Sequence, residues 1–293
     1  MFNKNKIVIA FGLATSLAVS NAQAGIIGVS LEGQTTVEVP LGASPLSDAD
    51  TSSTELVSTI GDSNGRSNGE ARARASNTGW FYLTSYTETS ALAASSITQR
   101  YQFQNDGEDG FFDFNFTIEN GSLDIACIAD GYGDGYGDGY GDGYGSACDA
   151  DSSGSASYDA NISIAGNNVW NSAASLMLEN EGYSLNTSGT LLSADYDTGN
   201  SFYNWSEQTF NIDLGFLAAN QIIEIVYSIS TESIVREDAT RAYAQFNDPI
   251  SFNRRLISID PAPANNVNAP GSLILFGLSI LGFAAYRRKL SKR

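Results

Sequence analysis

Apolar and polar residues alternate with period two over most of the chain, the mark of strands with one buried face rather than of helices. Phe112, Phe114, Phe116 and Ile118 fall on one side of a predicted strand, and Asp113, Asn115, Thr117 and Glu119 on the other. The same alternation predicts inner rows of Tyr158, Ala160, Ile162 and Ile164, of Phe210, Ile212 and Leu214, and of Ile223, Ile225, Tyr227 and Ile229. Weaker versions place Trp80, Tyr82, Thr84 and Tyr86 in one inner row and Ile97, Gln99, Tyr101 and Phe103 in another. Asn105-Asp106-Gly107, Glu119-Asn120-Gly121, Gly166-Asn167-Asn168 and Ala218-Ala219-Asn220 punctuate these runs as short turns. Many short strands with one polar face predict an all-β, antiparallel β-sandwich of the jelly-roll or immunoglobulin-like kind, and exclude a parallel α/β sheet. Residues 25–258 are long enough for one such domain. Within it, residues 25–78 are expected to be partly loop-like, because 40–77 are rich in Ser, Gly, Asp and Arg. Residues 169–178 are the one internal stretch expected to form a turn or two of helix.

Both termini break this pattern. Lys4 and Lys6, an apolar run over 7–19, and the small residues Ala22-Gln23-Ala24 read as a secretory signal peptide over 1–24, with cleavage leaving Gly25 first. At the other end 271–286 is a 16-residue apolar run, about 24 Å of helix at 1.5 Å per residue against a hydrocarbon core of about 30 Å, so it spans only tightly. Arg287, Arg288 and Lys289, with Lys292 and Arg293 behind them, put the C-terminus on the cytoplasmic side and the body outside. Residues 259–269, with Pro261-Ala262-Pro263, read as a semi-extended stalk.

A proline, a short apolar helix and an Arg cluster at the extreme C-terminus resemble the PEP-CTERM sorting signal of Gram-negative bacteria that make exopolysaccharide. The resemblance covers 267–293, and of the usual Pro-Glu-Pro only Pro270 is matched, the stretch here being Val267-Asn268-Ala269-Pro270. It implies export, retention by the tail helix, a sorting enzyme of the exosortase type as partner, and a place at the cell surface or in an extracellular matrix.

Charge and missing residue types narrow the chemistry. The net charge is −18, and the seven basic residues of the two terminal segments lower the value for 25–260 to −25. The eight basic residues left there are all arginine. Such a body repels phosphate backbones, so nucleic acid is excluded as a partner, while divalent cations and neutral polysaccharide are compatible. With no histidine, Ser-His-Asp and Cys-His nucleophile systems and histidine metal sites are closed. A two-carboxylate glycosidase stays formally open, but no catalytic residue stands out, and a non-enzymatic role is expected.

One motif in the body is unusual. Asp-Gly-Tyr-Gly occurs four times between Cys127 and Cys148, the chain's two cysteines. In an oxidising compartment these are expected to close one disulfide at the base of a hairpin tip. The repeat is open to three readings: an exposed loop without a ligand; a Ca2+ site using Asp130, Asp134, Asp138 and Asp142; or a contact surface for sugar rings using Tyr132, Tyr136, Tyr140 and Tyr144. Four extended residues cover about 13 Å, so two of the aspartates share an ion only if each unit turns back.

Overall fold

The computed structural model describes residues 24–65, 67–77, 80–127, 151–180, 182–192, 194–195, 201–236, 240–247 and 257–261, and every regular element among them is a strand. β1 (Ala24–Glu38) and β2 (Leu46–Ser52) pair as neighbours in one sheet. The chain crosses to the facing sheet for β3 (Glu55–Asn64), β4 (Ser67–Ser76) and β5 (Phe81–Glu88), then returns for β6 (Ala91–Asn105). β7 (Gly110–Ile118) and β8 (Gly121–Cys127) follow, then the meander β9 (Gly154–Ile164), β10 (Asn167–Glu179) and β11 (Gly182–Gly189). The rest are β12 (Ala194–Asp195), β13 (Phe202–Trp205), β14 (Gln208–Leu217), β15 (Ile222–Val235), β16 (Thr240–Asn247) and β17 (Ile257–Pro261).

A seven-stranded front sheet, β11-β10-β9-β15-β6-β1-β2, faces a seven-stranded back sheet, β12-β13-β8-β16-β5-β4-β3, and all the pairings are antiparallel. The inner faces of the two sheets enclose a main apolar core and a smaller cluster of Val37, Val39, Ala71, Ala91 and Ala93, which makes the molecule a β-sandwich. The three-stranded sheet β14-β7-β17 continues the back sheet beyond a corner. Ile118 pairs with Gln208 and Gly121 with Trp205, so three steps separate the pairs on either strand and the register carries straight through. The expected short turn at Glu119-Asn120-Gly121 is therefore this corner. Gly121 is required there, because a Cβ would overlap the Trp205 ring and lie 2.6 Å from the Gln245 carbonyl oxygen. Trp205 Nε1 donates to the Glu119 carbonyl at 3.0 Å, fixing the corner from the other side.

Folded over the front sheet, the continuation brings its phenylalanines into the core. Phe116 lies 5.2 Å from Trp170 and 5.2 Å from Phe210, centroid to centroid, and 6.5 Å from Tyr227. Aromatics fill this half of the sandwich. Its other half is lined by Ala71, Ala91, Ala93 and Ala242 together with the buried hydroxyls of Ser85, Thr87, Ser95, Thr231, Ser233 and Thr240.

Several expectations are corrected. Residues 40–77 are largely strand, not loop: β2, β3 and β4 lie there, and Leu56, Ala71, Ala73 and Ala75 are fully buried. Their inner positions are small, so periodicity gave little signal. The missing volume comes from across the core, where the Leu56 side chain fills the space above Gly33, and Val37 and Val39 the space above Gly69. Residues 169–178 are strand β10, with Trp170, Ser172, Ala174, Leu176 and Leu178 buried at period two. In β5 the inner row is Phe81, Leu83, Ser85 and Thr87, so Tyr82 and Tyr86 face outward. Residues 259–261, expected in the stalk, belong to β17, since 257–261 pair with β7. The turn after β9 is Ala165-Gly166, both at positive φ (50° and 81°), the left-handed pair that a two-residue hairpin needs, and Asn167 already belongs to β10.

Candidate functional site

The two ends of the sandwich differ. At one, the terminal end, Ala24 pairs with Asn105, Ile222 with Gln104, and Pro261 with Phe112, so the described chain both begins and stops there. Asn105 knits this end together: its Nδ2 donates to the carbonyls of Glu108, Leu217 and Ala218 at 2.9 to 3.2 Å. At the far end Val37 pairs with Leu46, Ala91 and Gly154 each with Val235, and Cys127 with Thr240. The 15 residues of β6 run from one end to the other, about 46 Å at 3.3 Å per step.

Of the residues singled out from sequence, Cys127 closes β8 at the far end, half-buried, and β9 departs from the same end at Gly154. Asp130, Asp134, Asp138, Asp142, Tyr132, Tyr136, Tyr140, Tyr144 and Cys148 lie outside the described residues, but the chain leaves for them and returns from them at this end. A crevice of about 420 Å3 adjoins their point of return. It is lined by Asp151, Glu179 and Arg236, with the Arg236 amide donating to the Ser153 carbonyl at 3.2 Å. Ala24 and Gly25 open β1 at the terminal end, while Ala22, Val267, Pro270, Arg287, Arg288 and Lys289 lie outside the described residues. Among the described residues there is no cluster of three or more metal-ligating side chains, and no helix long and apolar enough to cross a membrane.

Sequence reasoning missed a groove on the outer face of the front sheet, about 600 Å3 in volume. Two cross-strand rows form its floor. One runs Ser188, Ala173, Asp159, Ser230, Ser96, Gln34 and the other Asn186, Ser175, Ser157, Glu232, Ala94, Thr36, each crossing β11, β10, β9, β15, β6 and β1 in turn. Five inter-strand steps of about 4.8 Å make each row about 24 Å long. Small side chains keep the floor low, and hydroxyls and amides that both donate and accept suit a polyol ligand. The exposed carboxylates of Asp159 and Glu232 are diagonal neighbours on adjacent strands and are the floor's acidic groups. No aromatic side chain lies along either row, so the groove offers hydrogen bonds rather than a stacking platform. The signal was present strand by strand: the alternation that buries Tyr158 and Ala160 turns Asp159 outward. The register that aligns six strands was not.

The outer face of the back sheet carries a different set. Tyr86 and Tyr243 are cross-strand partners, flanked by Glu70 and Asp124 on the next strands out. The Tyr86 hydroxyl donates to Glu88 Oε2 at 3.0 Å, and burial together with the Glu88 charge pushes its pKa up to about 12. Tyr243 donates to Gln245 Oε1 at 2.7 Å, and burial raises its pKa further. Asp124 is also raised by burial, against the pull of Arg241. Arg72 and Glu70 form an ion pair that is partly exposed, worth about 0 to 1 kcal/mol.

Comparison of this chain with family models, with curated proteins and with solved structures gives no match.

Proposed function

We propose that this chain is an exported, membrane-anchored protein of the cell surface or extracellular matrix, non-enzymatic, whose sandwich is a spacer that displays the Asp-Gly-Tyr-Gly repeat. One observation carries the reading: the described chain starts and stops at one end of the sandwich, and the repeat departs from the other, about 46 Å away. A signal peptide and a C-terminal apolar segment attached to the first end would leave the repeat facing away from the membrane. The reading includes a Cys127–Cys148 bridge that staples the base of the repeat, an exosortase-type partner at 267–293, and strand connections of the jelly-roll or immunoglobulin-like kind. Mass spectrometry of both termini, from cells and from medium, tests it. A mature start at Gly25, with Arg293 retained on membranes or lost by a cut within 267–272 in released protein, is expected. Soluble cytosolic protein retaining Met1 contradicts it.

The groove favours a second reading, in which the displayed body binds polysaccharide. Two rows of small polar groups about 24 Å long match an extended neutral glycan better than any small metabolite. In this reading Asp159→Ala and Glu232→Ala abolish retention on a glycan array, whereas Asp130, Asp134, Asp138 and Asp142 changed to Asn leave it intact. If the aspartates matter instead, with Ca2+ heat lost in calorimetry, the adhesive element is the repeat. Hydrolysis of the native polysaccharide by the purified protein would overturn the non-enzymatic assignment.

A further inference from the structure

We propose that the terminal end of the sandwich rests on the lipid surface through an apolar rim contributed by both faces. Phe111, Phe216, Ile222, Ile27 and Ile26 are exposed by 63, 55, 54, 48 and 42 %, and all five lie within the last few rows of this end. Phe111 and Phe216 are cross-strand partners with ring centroids 5.8 Å apart, edge to face, on the outside of the continuation sheet. Ile222 stands on the outside of the front sheet, and the register of β1 shifts between Ile26 and Gly28, which makes Ile27 the bulged residue. Leaving such side chains in water forfeits about 1.5 to 3 kcal/mol each relative to burial, and apolar side chains on a surface element gain it back by burying into the headgroup–acyl boundary.

The course of the chain identifies the occupant. Pro261 pairs with Phe112, next in sequence to Phe111, and nine residue steps (270 − 261) lead from there to Pro270 at the head of the apolar segment. At 3.3 to 3.6 Å per residue the connection is at most about 32 Å, so a bilayer that holds 271–286 lies within reach of the rim. This inference rests on the anchoring reading above. The carboxylates of Asp106, Glu108 and Asp109 share the same end, exposed, with Asp109 Oδ1 accepting from the Ala219 amide at 2.8 Å. They repel anionic headgroups, which makes a zwitterionic surface the partner.

Photo-crosslinking tests this on the full chain in phosphatidylcholine nanodiscs, with p-benzoyl-phenylalanine replacing Phe216, Phe283 or, at the far end, the 47 % exposed Leu46. Lipid adducts are expected from positions 216 and 283 and none from 46, with the 216 adduct falling in phosphatidylglycerol discs while the 283 adduct persists. An adduct at 283 without one at 216, repeated with the probe at Phe111, overturns the proposal and leaves the anchor standing. Loss of the adduct at 283 overturns the anchor and the proposal together, and equal yields at 216 in both lipids overturn the assignment of the headgroup.

Discussion

Thr240 and Ser95 are buried hydroxyls with opposite circumstances. Ser95 Oγ contacts Thr231 Oγ1 at 2.8 Å and the Thr84 carbonyl at 3.1 Å, whereas the buried hydroxyls of Thr240, Ser85, Thr87 and Ser233 have no hydrogen-bond partner among the described residues. Removing a paired hydroxyl strands its partner, so Ser95→Ala should cost about 1 to 3 kcal/mol in urea unfolding, while Thr240→Val should be neutral or stabilising. Gly121→Ala forces the corner open against Trp205 and should cost about 1 to 3 kcal/mol, whereas Gly61→Ala, whose nearest neighbour atom would be 3.6 Å away, should change stability little. The tyrosines add a pH dependence. Burial raises Tyr86 from 10 to about 12, and Tyr101, Tyr158, Tyr227 and Tyr243 are raised as well. The folded state thus holds protons that the unfolded chain has released, so their contribution to stability is complete below pH 10 and is lost as pH rises through 10 to 12. The tyrosinate signals of these five residues should appear in that window together with unfolding, and their titration at pH 10 in folded protein would contradict the burial.

At the scale of elements, the two open edges at the β2–β3 side are joined by carboxylates. Asp50 Oδ2 accepts from the Val57 amide at 3.1 Å, and Asp48 Oδ2 accepts from the Thr59 amide at 3.3 Å and from Ser58 Oγ at 3.0 Å. These side chains satisfy amides that would otherwise template pairing with another chain. Asp48→Ala with Asp50→Ala should speed hydrogen exchange at Val57 and Thr59 and increase aggregation, and unchanged exchange would show that the carboxylates protect nothing. Strands rich in large apolar residues were legible in sequence: β7, β9 and β15 have the predicted inner rows. β4 was not, because its inner row is Ser67, Gly69, Ala71, Ala73 and Ala75, residues that carry almost no hydrophobic contrast. β5 was read one residue out of register because Trp80, Tyr82 and Tyr86 outweigh Phe81 and Leu83 in bulk, and only the facing sheet decides which row is covered. The corner at Gly121 looked like an ordinary turn between strands because Asn-Gly chemistry serves both. The groove with Asp159 and Glu232 exists only once six strands are aligned, and no local pattern encodes that alignment.

At the scale of the whole molecule, strand length fixes the geometry of display. β6, β15 and β10 are 15, 14 and 13 residues long, and they separate the end where the described residues start and stop from the end where the chain leaves for the repeat. A body with charge −25 stands clear of anionic lipid, and in the seating proposed above only the apolar rim meets a zwitterionic surface, which holds the body upright. The central claim is this polarity: repeat outward, basic tail inward. Antibody labelling of intact spheroplasts expressing the full chain tests it directly, with one antibody against the 130–145 peptide and another against a tag placed after Arg293. The account predicts that the repeat is labelled on intact spheroplasts and the tag only after lysis. A tag labelled before lysis, or a repeat labelled only after it, would contradict the account.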